Sequence, residues 1–187
     1  MKFGCKSVAG TLAVGLLAMG PAFAQSNPPS SAQHEAQSGS ANRMSSHSSF
    51  VTKAAVGGMA EVKLGQLATQ KASNSDVKAF GQQMVDDHGK ANNELKSLAG
   101  SKGITLPTDL DAKHQATYDR LSKLDGAAFD HAYVQEMLSD HREDVSEFRK
   151  ESQSGSDADV KAWAAKTLPT LEHHLQMIES INGKVKK

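Results

Sequence analysis

Val77-Lys78-Ala79-Phe80-Gly81-Gln82-Gln83-Met84-Val85-Asp86-Asp87-His88 decides the fold. Val77, Phe80, Met84 and His88 recur at steps of three and four, which places them on one stripe of an α-helix. The stripe continues through Leu95 and Leu98. Gly100 and Gly103 follow, then Pro107, the residue order that ends a helix. Asn74-Ser75 precedes the stretch, and Ser75 reads as its N-cap. The stretch has an echo. Gln83-Met84-Val85-Asp86-Asp87-His88 matches Glu136-Met137-Leu138-Ser139-Asp140-His141 at an offset of 136 − 83 = 53 residues. Phe80 with Tyr133, and Leu95 with Phe148, keep that offset, and a weaker echo pairs Asp76–Phe80 with Asp159–Trp163. Two helical hairpins in one bundle produce such repetition, although every amphipathic helix reuses the same period.

Outward from this stretch the same period persists. Upstream, Phe50, Ala54, Gly57, Glu61, Leu64 and Ala68 form a stripe. Downstream, Thr108 with Asp111 resembles a capping box that opens a short helix to about Leu124, and Asp125-Gly126 breaks the chain. Phe129, Tyr133, Met137, His141, Val145 and Phe148 make the next stripe, and Ser154-Gly155-Ser156 reads as a turn. The last helix carries Val160, Trp163, Leu171, His174, Ile178 and Ile181, with Pro169 inside it. Four long helices and one short one predict an all-α fold. The short helix lies in a connection long enough to cross most of a bundle's height, as in ferritin-like bundles. An up-down bundle with a side helix is the other topology. The bundle domain is expected over residues 49–187.

The N-terminus reads differently. Lys2 and Lys6 precede an apolar run from Val8 to Met19, and Ala22-Phe23-Ala24 stands before Gln25. This predicts a cleavable signal peptide over residues 1–24 and a periplasmic mature chain. Residues 25–48, rich in Ser, Gln, Asn, Pro and Gly, predict a disordered polar spacer. Cleavage removes Cys5 and two of the 21 basic residues, so the mature net charge is 19 − 21 = −2 and no disulfide can form. Near-neutral mixed charge predicts no nucleic-acid partner. No transmembrane segment is expected in the mature protein, and partners are expected to be an envelope protein or a second copy of the chain.

Four polar residues occupy stripe positions that should face the core, one per long helix: Glu61, His88, His141 and His174. Counting from the turns puts the first three level and His174 either near them or one turn away. A buried charge must be paired, coordinated or neutralised. Two readings follow. Three imidazoles and a carboxylate can bind a transition metal, with zinc, copper or iron as the candidate cofactor. They can equally form a metal-free network in which Glu61 accepts from a histidine while Asp87 or Asp140 orients others. Met84 and Met137, each four residues before a stripe histidine, read as core filling rather than copper ligands.

These segments together resemble the domain of unknown function 4142 family, ferritin-like exported bacterial proteins. The resemblance rests on Glu61 with Leu67-Ala68, on Val77-Lys78-Ala79-Phe80 leading to Met84-Val85-Asp86-Asp87-His88, and on Phe129-Asp130 with Tyr133. Met137-Leu138-Ser139-Asp140-His141 and Leu168-Pro169 leading to His174-Leu175 complete it. It implies a four-helix ferritin-like fold and no particular activity. Di-iron bundles need Glu-x-x-His motifs. Here Val85, Leu138 and Leu171 stand three before His88, His141 and His174, which disfavours iron storage and di-iron oxidation. No catalytic residue is assigned. The expected function is an exported bundle whose Glu/His layer holds a metal. The alternative is a non-catalytic envelope or stress-related interaction protein with a purely structural layer, and a redox enzyme is the third reading.

Overall fold

The computed structural model describes residues 31–185, with side chains from residue 47. The signal-peptide reading of residues 1–24, and the spacer's first residues, lie outside the described residues. The described chain is all-helical: α1 (Ser31–Lys71), α2 (Ser75–Ser101), α3 (Ala112–Leu121), α4 (Gly126–Ser154) and α5 (Ala158–Val185). None of these helices is long and apolar enough to cross a membrane. The spacer expected to run to residue 48 is helical from Ser31 onward. Ala32, Gln33, Glu35, Ala36 and Arg43 are good helix formers, no proline interrupts them, and adding turns to an existing helix costs far less than nucleating one.

Local signals set the helix ends. Asn74, not Ser75, caps α2, its side chain accepting from the backbone N–H groups of Asp76 and Val77. Asp111 itself caps α3, accepting from His114 N–H at 2.9 Å, so the expected box opening at Thr108 is replaced by a single cap three residues later. Gly103 and Gly126 both have positive φ, where a side chain would be strained, and they mark the two ends of the crossover.

α1 pairs with α2 and α4 with α5 as hairpins. α2 also packs on α5 and α1 on α4, so α2 and α4 stand on a diagonal. Three polar contacts set the direction of each helix. Asp130, in the first turn of α4, accepts from the backbone N–H groups of Ser73 (3.1 Å) and Asn74 (3.0 Å) at the α1–α2 turn. Lys184 near the end of α5 reaches Asp76 at the start of α2, at that same end of the bundle. At the opposite end, Lys102 after α2 pairs with Asp157 and Asp159 before and within the first turn of α5. The chain therefore leaves α2 at one end and enters α4 at the other. This is the one-crossover connectivity of the kind met in ferritin-like bundles. α3 rides in the crossover against α1 and α4, anchored by fully buried Leu121 and by Arg120–Glu136 at 2.6 Å.

The core falls into two apolar clusters. One gathers Leu64, Phe80, Met84, Phe129, Tyr133, Met137 and Ile178 near the α1–α2 turn. The other gathers Val51, Leu95, Phe148, Val160, Trp163 and Leu171 toward the opposite end. Each long helix passes from one cluster to the other. At the crossing point each carries one of Glu61, His88, His141 and His174.

Candidate metal centre

The four polar stripe residues meet in the plane between the two clusters. Glu61 is 1% exposed, His88 6%, and His141 and His174 are fully buried. The three imidazole rings lie 5.3–5.8 Å apart, centroid to centroid. One nitrogen from each falls within 4.8 Å of the other two. His174 thus lies in the layer, the nearer of its two expected positions. Residues 155–157 lie outside both helices, so counting through them as helix overstates the offset. Counted from the helix ends, His141 is 13 residues before Ser154 and His174 is 16 after Ala158, a difference of three residues. Glu61 and His88 differ by the same amount, at 10 before Lys71 and 13 after Ser75. Both hairpins place their polar pair alike, which the repeat in the sequence foreshadows.

Each histidine has one ring nitrogen occupied and one facing inward. His141 Nδ1 donates to the Met137 carbonyl at 3.0 Å, and because a carbonyl only accepts, the proton is on Nδ1 and Nε2 carries a lone pair. His174 Nε2 donates to Asp87 Oδ2 at 2.8 Å, so the proton is on Nε2 and Nδ1 carries the lone pair. His88 Nδ1 lies 2.7 Å from Glu61 Oε2. The remaining atoms, His88 Nε2, His141 Nε2, His174 Nδ1 and Glu61 Oε1, are buried without a formed hydrogen bond, and two of them, Glu61 Oε1 and His141 Nε2, face each other at 3.5 Å. Unmet polar atoms in a protein interior cost about 1–3 kcal/mol each. Four at one point make a concentrated cost.

The electrostatics fit neutral imidazoles. Burial pushes His88 down to about 4, against the pull of Asp140 and Asp87. Burial, then repulsion from His88 and His174, takes His141 to about 3. Burial lowers His174 to about 4, with the Asp87 hydrogen bond opposing. Glu61 moves the other way: burial, aided by the negative charge of Asp140, holds its carboxyl well above the ordinary range. Asp87 stays below its usual value, because hydrogen bonds from Gln83 and His174 outweigh its partial burial.

Two carboxylates border this layer that the stripes did not mark. Glu61, Asp140 and His141 also bring one ligand atom each within 4.8 Å of one another. Asp144, one turn beyond Asp140, is raised well above the carboxylate range by burial and by Glu61 and Asp140. Of the two aspartates expected to orient a histidine, Asp87 does so, and Asp140 lies on the side of α4 toward His114 and Lys113 of α3. Asp144 has no sequence signal. It sits beside the stripe, where solvated aspartates are common, and only the packing of its neighbours half-buries it. His173 and His131 are exposed. Met84 and Met137 lie fully buried in an apolar cluster, in keeping with core filling.

Fold and site together define an all-α bundle with a buried imidazole–carboxylate layer. The chain belongs to the DUF4142 family, a domain of unknown function, which it matches over residues 30–181. No curated protein matches it. Its fold is similar to a crystal structure of a DUF305 fragment from Deinococcus radiodurans, with a TM-score of 0.65 and 13% identity over 74% of this chain and 95% of that one. It is also similar to a DUF305 protein of Streptomyces coelicolor assigned as secreted, with a TM-score of 0.62 and 14% identity over 73% of this chain and 90% of that one. At these identities the likeness concerns the fold alone.

Proposed function

We propose that this protein is an exported, periplasmic bundle that binds one transition-metal ion through His88, His141 and His174. The observation that carries the reading is the set of three inward imidazole nitrogens, each left unpartnered while its opposite nitrogen is fixed. Acceptors on the far nitrogen are the usual means of orienting metal-ligating histidines. Asp87 and the Met137 carbonyl play that part for His174 and His141, and Glu61 plays it for His88. A purely structural layer has no use for aiming three lone pairs at one point and leaving them unmet.

Three nitrogens and no thiolate suit zinc or copper(II) better than a hard cation, and a tetrahedral ion would keep a fourth position open. No proton donor, nucleophile or second redox group stands at the layer in a way that requires a reaction, so the proposed role is binding. Elemental analysis of tag-free protein from the periplasm tests it. About one metal per chain is expected, and none in the His88→Ala/His141→Ala variant. Metal-free wild type under non-chelating conditions would overturn the reading and favour the structural layer. Intact mass of the same sample tests export: the mature chain should begin at Gln25, and retention of residues 1–24 would refute cleavage.

A further inference from the structure

We propose that the metal ion enters and leaves the trihistidine site through the seam between α2 and α5, across an aperture framed by the Asp87–His174 and Glu94–Lys166 pairs. This inference rests on the metal-binding reading above and adds the route by which the buried site is loaded.

All three histidines are buried, so an ion needs a way in. His88 stands on α2 and His174 on α5, and their rings are the nearest pair of the three, 5.3 Å apart. The same two helices bound a surface cavity of about 100 Å³. Two polar pairs cross the seam beside it. Asp87 accepts from His174 at 2.8 Å, and Glu94 pairs with Lys166 at 2.8 Å. The two carboxylates are two helical turns apart on α2, about 10 Å along the axis. The rest of the cavity wall is small and partly polar: Ala91 from α2, Thr167 and Thr170 from α5. Ala91 and Thr167 also line an inner cavity of about 20 Å³ that Glu61 and His88 border. Those two side chains are therefore the shared wall between the outer mouth and the site.

The seam has the means to open. α5 departs from a regular helix at this level in two ways. Pro169 has no N–H to give the Ala165 carbonyl, and Thr167 Oγ1 donates back to the Trp163 carbonyl at 2.9 Å, a bond that bends helices. The outer pair is weakly held, since Lys166 is 66% exposed and exposed ion pairs are screened. The mouth also suits a cation. The Asp87 and Glu94 carboxylates and two threonine hydroxyls can replace lost hydration water, while Lys90 stands exposed at the rim. The other cavity beside α2, about 500 Å³ against α1, is walled by Met59, Ile104, Leu106 and Pro107. It carries Lys96, which has no acidic partner among the described residues. An ion entering there would shed its water against hydrocarbon and meet a positive charge.

The test uses purified full-length mature protein. Stopped flow with a zinc-indicator dye follows Zn²⁺ uptake, and an excess of a chromophoric chelator follows Zn²⁺ release. Ala91→Leu thickens the shared wall and should slow uptake and release alike, by about tenfold or more, with Kd within about twofold of wild type. Lys166→Ala unties the outer pair and should speed both by the same factor, about two- to fivefold. Its exposed position leaves the fold intact, so it decides the matter if Ala91→Leu does not fold. Leu106→Trp fills the other cavity and should change neither rate. Uptake that a folded Ala91→Leu does not slow overturns the route. So does a Lys166→Ala variant with unchanged rates or an effect confined to uptake, and so does slower uptake in Leu106→Trp. Wild-type protein that takes up no zinc is a different result and strikes the trihistidine reading instead.

Discussion

Acid should release the metal ion far less readily than it does from an ordinary histidine site. Protons compete with metals for imidazole lone pairs, so affinity falls once pH drops below the pKa of the free ligand. With three solvent-exposed histidines near 6.5, about 97% of each would be protonated at pH 5, and the combined loss would be on the order of 10⁴-fold. In this site the folded-state values are about 4 for His88, about 3 for His141 and about 4 for His174. At pH 5 roughly a tenth or less of each is protonated, so the three together lower affinity by only about 1.2-fold. The sign follows from the direction of the shift: a lowered imidazole pKa keeps the ligand neutral over a wider acid range. Glu61 acts oppositely. Its raised pKa means it gives up a proton when the ion arrives, which adds at most about tenfold per pH unit. The account therefore predicts a loss of about 100-fold between pH 7 and pH 5, with one proton released per ion. Zinc calorimetry in buffers of different ionisation enthalpy measures both quantities. Glu61→Gln should flatten the dependence. A loss near 10⁴-fold, or release of three protons, would refute buried neutral imidazoles.

Two further outcomes bear on the supports of the site. Asp87→Ala removes the acceptor for His174 Nε2 and should lower metal affinity by about 10–100-fold, and it should destabilise the metal-free protein by about 1–3 kcal/mol, because the N–H of fully buried His174 is left unmet. Gly65→Ala should destabilise the fold by about 2 kcal/mol in urea titration, because its Cβ would stand 2.6 Å from the Gly81 carbonyl oxygen, where α1 and α2 approach most closely. Neutral behaviour there would show that the hairpin is looser than described.

Much of this was legible in the sequence for one physical reason. A polar residue on an apolar stripe has only one place to go, so Glu61, His88, His141 and His174 could be named from period alone, and all four meet between the two clusters. Depth was harder, because loops do not rise like helices, so counting through residues 155–157 left His174 either near the layer or one turn from it. Asp140 and Asp144 were harder still. Their partial burial comes from α3 and α1 packing along a flank of α4, a tertiary event that leaves no mark on local periodicity. The N-terminal part of α1 escaped for the opposite reason: residues 31–48 have no apolar stripe, yet they continue a helix whose stability is set further along the chain. The cap of α3 shows the limit of motif reading, since Asp111 alone supplies what the Thr108 box would have shared.

X-ray absorption at the zinc edge, on protein carrying one equivalent, tests the central claim most directly. The account predicts a first shell dominated by nitrogen at about 2.0–2.1 Å, with the outer-shell scattering of three imidazoles. It also predicts the loss of about one imidazole in His141→Ala. A shell of oxygen alone, or an imidazole count that His141→Ala leaves unchanged, would contradict a metal centre at His88, His141 and His174.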